Sequence, residues 1–205
     1  MIAVIDYGAG NLQSVRKALS FIGADVCVTK DPQVLSRAQA AVLPGVGAFG
    51  DAMKSLHASG MTGAICDFVR EGKRPFLGIC VGLQMLFEES EESPGVPGLG
   101  LLPGKILKIP PREGLKVPHM GWNDLDLLTH EGLFSGLAPH PYVYFVHSYY
   151  LRAGNPSDVA ATTEYGVRID AAVHHGKLWA TQFHPEKSGR VGLQILRNFA
   201  AMGEG

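Results

Sequence analysis

The first hundred residues alternate between short apolar runs and amphipathic stretches. Ile2 to Ile5 is continuously apolar and too short for a helix, which predicts a buried strand. After the turn-rich Asp6-Tyr7-Gly8-Ala9-Gly10, the residues Leu12, Val15, Leu19 and Ile22 recur at steps of three and four. They form one face of a helix that Asn11 caps and Gly23 closes. Asp25 to Thr29 reads as a second strand, and Asp31-Pro32 as the cap and first residue of a short helix. Ala40 to Leu43 reads as a third buried strand, ending in the loop Pro44-Gly45-Val46-Gly47. Helical segments over 51–58 and 62–71 then lead into a strand from Pro75 to Ile79. Strands joined through helices pair in parallel, so the pattern predicts an α/β fold, a three-layer sandwich around a mostly parallel sheet.

Beyond residue 100 the pattern changes. The stretches 105–109, 142–151, 159–163, 167–174 and 178–183 read as strands with short connections, and His175-Gly176 as a hairpin turn. They add antiparallel strands to the parallel core. A last helix, capped at Ser188, buries Val191, Ile195, Leu196, Phe199 and Met202. With no repeat and no long linker, residues 1–205 are expected to form one domain.

Composition narrows the classes of function. Hydrophobic residues make up 46% of the chain and charged ones 18%, enough apolar side chain for a sizeable core. Eighteen basic residues stand against 19 acidic ones, so a nucleic-acid partner is not expected. The apolar opening is cut short by Asp6 and lacks a basic lead-in, which predicts neither a membrane span nor an export signal. Three cysteines without a CxxC pair fit a reducing, cytoplasmic compartment. Of these, Cys27 and Cys66 read as small core residues. His174-His175 reads as part of a turn, and His119 and His147 lack the spacing of a zinc site. No metal and no cofactor is expected.

Three stretches carry candidate chemistry. Gly78-x-Cys80-x-Gly82 follows an apolar strand, and Leu83, Leu86 and Phe87 continue at helical spacing. This is the form of a nucleophile elbow, in which glycines let the backbone turn while the thiol faces a cleft. A helix starting beneath Cys80 would favour the thiolate; a buried structural cysteine is the bland alternative. Gln182-Phe183-His184-Pro185-Glu186 ends a predicted strand, where a parallel sheet presents its site. Pro185 disfavours helix at His184, leaving Glu186 close enough to hold one ring nitrogen while the other serves a thiol as general base. A surface turn is the alternative. Third, the glycines of Pro44-Gly45-Val46-Gly47-Ala48-Phe49 leave backbone N–H groups exposed, and with the N–H of Val81 they could form an oxyanion hole.

GICVGLQML together with QFHPEKSG resembles the class I, or triad, glutamine amidotransferases. VIDYGAGNLQSV, PGVGAFG, VPHMGWN and YFVHSYY resemble one branch of that family, the glutaminase subunits of imidazole glycerol phosphate synthases, from residue 2 to about 200. The resemblance implies a flavodoxin-like fold and a triad of Cys80, His184 and Glu186. It also implies oxyanion donors from Gly47 and Val81, and a glutamine site at Gln84, Glu92, Ser148 and Tyr149. From charge alone, Glu92 reads as one of four acids in EESEE at a solvated helix end. The resemblance further implies a heterodimer with a (β/α)8-barrel cyclase subunit that receives ammonia in histidine biosynthesis. Asn11, Trp122, Tyr144 and Lys187 would lie at that interface. The rival readings are a free-standing γ-glutamyl hydrolase and a binding subunit without chemistry.

Overall fold

In the computed structural model, which describes residues 1–203, the chain runs in order through the following elements. The first half comprises β1 (Ile2–Ile5), α1 (Leu12–Phe21), β2 (Val26–Thr29), α2 (Pro32–Arg37), β3 (Ala40–Gly45), α3 (Phe49–Ala58), α4 (Thr62–Glu71), β4 (Phe76–Cys80) and α5 (Val81–Gln84). Then come β5 (Glu89–Ser90), β6 (Gly104–Lys108), β7 (His119–Asp124), β8 (Asp126–Leu127), β9 (Tyr142–His147) and β10 (Tyr149–Ala153). The chain ends with β11 (Val159–Glu164), β12 (Arg168–His175), β13 (Leu178–Thr181) and α6 (Gly189–Met202).

An eight-stranded sheet has the order β2-β1-β3-β4-β13-β12-β11-β8. Its first five strands are parallel, and β12, β11 and β8 continue it antiparallel. The five parallel strands have the flavodoxin-like order. Helix α1 packs with α6, and α2 with α4. Right-handed crossovers that step first one way from β1 and then the other put these pairs on opposite faces. The chain reverses its direction of travel between β1 and β3, so a crevice opens at the carboxyl ends of the neighbouring strands. A three-stranded sheet (β10-β6-β5) and the β7/β9 ribbon border that crevice.

Local chemistry accounts for most elements. Asp31 accepts a hydrogen bond from the Gln33 N–H at 2.8 Å, capping α2. Asn11 and Ser188 stand at the expected helix starts, but neither side chain caps. The Ser188 hydroxyl instead donates to the His184 carbonyl at 2.6 Å and accepts from the Tyr144 N–H at 3.0 Å. On α6, Ile195, Leu196 and Phe199 are fully buried, whereas Val191 and Met202 are only half-buried. Cys27 and Cys66 are also half-buried, not core residues: Cys27 lies on edge strand β2, and Cys66 flanks the buried stripe of α4. No helix among the described residues is long and apolar enough to cross a membrane.

Three expectations are corrected. The helix after Cys80 has four residues, because the chain leaves it at Met85 to bring Leu86 and Phe87 into the core. The stretch 142–151 is not one strand. It pairs with β7 up to His147, then leaves at Ser148 to pair with β6. The acids of EESEE end no helix; Glu89 and Ser90 form β5.

The tightest backbone packing lies between β3 and α5. A Cβ on Gly82 would collide with the Leu43 carbonyl oxygen, and one on Gly45 would lie 2.8 Å from the Val81 carbonyl carbon. Gly63 on α4 faces open space. Gly82→Ala is therefore expected to lower stability by about 1–3 kcal/mol, while Gly63→Ala raises it by about 0.5–1 kcal/mol. Urea unfolding midpoints of the two variants check this contrast. Equal tolerance at both positions would contradict it.

Candidate active site

The β3–α5 packing shapes the turn at Cys80. Strand β4 must turn into α5 directly beneath β3, with Gly45 in register with Cys80. Cys80 takes φ 55° and ψ −110°, the one positive φ at a non-glycine residue among the described residues. Such a conformation costs on the order of 1–3 kcal/mol and persists only where its surroundings impose it. Here they do: a Cβ on Gly78 would lie 2.9 Å from the Gly82 carbonyl oxygen, so no side chain fits on either flank of the turn. The thiol is 4% exposed and lines a cavity of about 270 Å3 at the crevice.

His184 reaches the same cavity from the end of β13. Its backbone is extended, φ −101° and ψ 97°, as Pro185 requires. Its Nδ1–H donates to Glu186 Oε1 at 2.8 Å, and both side chains are almost wholly buried. Burial works against a charged ring, but hydrogen bonding and charge from Cys80 and Glu186 outweigh it and raise the His184 pKa to about 9. At Nδ1 the Glu186 hydrogen bond is formed, whereas the buried Nε2 faces the thiol without a hydrogen-bond partner. The imidazolium thus keeps one nitrogen fixed on the carboxylate and the other uncommitted beside the thiol.

The expected residues converge here. Gly47, Val81, Gln84, Glu92, Ser148, Tyr149 and Lys187 line the cavity together with Cys80 and His184. Glu186 stands behind His184 rather than in the wall. Glu92 is not a solvated acid: its Oε2 accepts the Phe49 N–H at 2.7 Å, binding the start of α3, just after the glycine-rich loop. Ser148 and Tyr149 reach the wall because the chain changes sheets at that point.

Three of the expected interface residues form a cluster at the cavity's edge. The Trp122 ring meets Tyr144 edge-on at 6.1 Å, and the Lys187 ammonium lies 5.9 Å above the Tyr144 ring. Asn11 opens α1, which packs against the Pro185–Lys187 turn. Met120, Trp122 and Tyr142 are more than half exposed, and strand alternation puts them on one face of the β7/β9 ribbon. The His184 N–H donates to the Tyr144 carbonyl at 3.0 Å, which ties that ribbon to the catalytic segment.

Sequence reasoning passed over several neighbours. Tyr7, with a buried and unpartnered hydroxyl, has its phenol pKa raised by burial and by the charge of Cys80. His119 and His147 bond to each other, Nδ1 to Nε2 at 3.0 Å, and burial holds them at about 4 and about 3 respectively, so both are neutral. Gln182, fully buried, donates to the Cys80 sulfur at 3.6 Å. In the sequence Gln182 and His184 stand two residues apart, the spacing that shares one face of an extended chain, although β13 itself ends at Thr181.

Comparison with known proteins agrees with this geometry. The family described as glutamine amidotransferase class-I matches residues 3–202. Imidazole glycerol phosphate synthase subunit HisH of Methanothermobacter thermautotrophicus is 55% identical over 199 residues, covering 97% of each chain. The protein of the same name from Syntrophotalea carbinolica is 51% identical over 207 residues, covering 98% of this chain and all of its own. Among solved structures, one described as a glutamine amidotransferase superposes with a TM-score of 0.77 at 21% identity, covering both chains completely. The structure of PurLQS from Thermotoga maritima superposes at 0.74 with 20% identity, covering 97% of this chain and 96% of its own. At such identities the structural likeness shows the fold, while the family match spans nearly the whole chain. This chain belongs to the class I glutamine amidotransferase family.

Proposed function

We propose that this protein is the glutaminase subunit of an imidazole glycerol phosphate synthase, hydrolysing glutamine through Cys80, His184 and Glu186. One observation carries the reading: the strained Cys80 shares a cavity with a buried imidazole whose Nδ1 is held by Glu186 at 2.8 Å. The Cys80 sulfur attacks the side-chain amide carbon of glutamine, and the N–H groups of Val81 and Gly47 receive the oxyanion. His184 gives its Nε2 proton to the leaving nitrogen, so ammonia departs and a γ-glutamyl thioester remains. Water, deprotonated by His184, then attacks the thioester; glutamate leaves and the thiolate is restored beside the imidazolium. Gln84, Glu92, Ser148 and Tyr149 hold the amino-acid end, with the Glu92 carboxylate as partner for the ammonium.

Ammonia released into water is protonated and lost as a nucleophile, so the product needs a sheltered route to a second active site. The relatives' name designates a subunit, which supports an assembly. We infer a (β/α)8-barrel cyclase as the partner, docking on the exposed face of Met120, Trp122 and Tyr142 with Tyr144, Lys187 and Asn11. Histidine biosynthesis is the pathway this assignment serves. The hydrogen bond from the His184 N–H to the Tyr144 carbonyl gives the docked ribbon a direct hold on the catalytic histidine.

Glutamate release should be slow in the isolated chain and rise by about 100- to 1000-fold on adding the cyclase subunit with its nucleotide, the range for one oxyanion donor. Cys80→Ala should abolish it while leaving the complex able to use added ammonia. Full activity without a partner would instead establish a free-standing hydrolase, and residual glutamine turnover in Cys80→Ala would remove Cys80 from its role.

A pH profile follows from the raised pKa of His184. Below about 9 the ring is protonated and can supply the leaving nitrogen; as the pH rises through about 9 that proton is lost. The rate of the assembled enzyme should therefore fall along an alkaline limb near that value. Glu186→Gln removes one of the charges holding the proton, so the limb should move to lower pH. A limb unmoved by that substitution would contradict the assigned pairing.

A further inference from the structure

A line of hydrogen bonds runs from the cavity wall to the nucleophile, and its polarity follows from one backbone carbonyl. The Tyr149 oxygen can only accept. It receives His147 Nδ1–H at 2.9 Å and the Gln84 amide at 3.2 Å, so the Gln84 atom facing it is Nε2. The second Nε2 hydrogen of Gln84 points to Gln182 at 3.1 Å, so the Gln182 atom there is Oε1. Gln182 is thereby oriented with Nε2 toward Cys80, 3.6 Å from Sγ. The His119–His147 pair locks the far end, because a neutral His147 with Nδ1–H committed to Tyr149 must accept from His119 at Nε2. Both amides are buried, Gln182 completely and Gln84 at 3% exposure, so neither can turn over without leaving a polar group unpaired.

We infer that Gln182 is a further functional residue of the site, with two separable roles. Through Nε2 it donates to the Cys80 sulfur, stabilising the thiolate present before attack and released again when the thioester is hydrolysed. Through Oε1 it fixes the Gln84 amide so that both Gln84 hydrogens are spent inside the protein. Gln84 therefore presents its carbonyl oxygen to the cavity, an acceptor that suits the N–H donors of a carboxamide or ammonium and opposes a carboxylate. The inference rests on Cys80 being the nucleophile.

Two near-isosteric substitutions separate the roles. Gln182→Met removes donor and acceptor without adding charge; Gln182→Glu keeps an acceptor for Gln84 but cannot donate to sulfur when ionised. The readouts are the pH profile of Cys80 alkylation by iodoacetamide in the full chain, resolved by peptide mass, and kcat and KM for glutamine in the complex with the cyclase subunit. In both variants the alkylation profile should move to higher pH and kcat fall by roughly 10- to 100-fold, the range for a hydrogen bond to a charged group. KM should rise in Gln182→Met and stay within about threefold of the native value in Gln182→Glu, where the Gln84 orientation survives. A merely structural role would lower the yield of folded enzyme without moving the alkylation profile. An unchanged profile in Gln182→Met overturns the inference, and should that variant fail to fold, an unchanged profile in Gln182→Leu, which likewise has no donor, does so. If the native complex releases no glutamate yet the profile still shifts, the contact to sulfur stands and the glutaminase reading falls.

Discussion

Everything at this site depends on how closely β3 approaches the turn between β4 and α5. Only hydrogen atoms fit between the Leu43 carbonyl and Gly82, or between Gly45 and the Val81 backbone. That contact leaves the chain no relaxed path from strand to helix, and Cys80 absorbs the difference at φ 55°. Because β3 also continues into Pro44-Gly45-Val46-Gly47, the same contact sets the glycine-rich loop beside the thiol. Cys80 and the loop proposed to supply oxyanion donors are in this way placed by one piece of backbone packing.

Around that backbone the polar groups are arranged so that each fixes the next. Glu186 holds His184, and the raised pKa keeps a proton on the ring beside Cys80. Tyr149, Gln84 and Gln182 pass a defined polarity to the sulfur. Glu92 binds the start of α3 while facing the cavity, so one carboxylate joins the cavity wall to the helix that follows the glycine-rich loop. In a low-dielectric site, the partnered groups of such a network hold one geometry, since any rotation strands a buried donor or acceptor, while His184 Nε2 and Glu186 Oε2 stay open.

The parallel half of the fold was legible because its central strands β1, β3, β4 and β13 are buried on both faces and its helices carry apolar stripes, as at Val15 and Leu19 or Ile195, Leu196 and Phe199. Cys80, His184 and Glu186 were legible because their two motifs occur together and resemble one family, although each motif alone has an ordinary alternative. Strand β7 was not: it buries His119 and exposes Met120 and Trp122, an inversion of the usual pattern that suits a surface awaiting a partner. The break at Ser148 was equally hidden, because β9 and β10 are both rich in aromatic and aliphatic residues and only their pairing partners differ. Gln182 reads as an ordinary polar residue until the carbonyl of Tyr149 assigns its amide a direction.

The most direct measurement is an acid quench of the assembled enzyme during turnover of glutamine, followed by peptide mass analysis. A γ-glutamyl group on the peptide containing Cys80, absent when the enzyme is incubated with glutamate, is the expected result. Glutamate formation at full rate with no adduct on Cys80, or with the adduct on another residue, would contradict a thioester mechanism at this site.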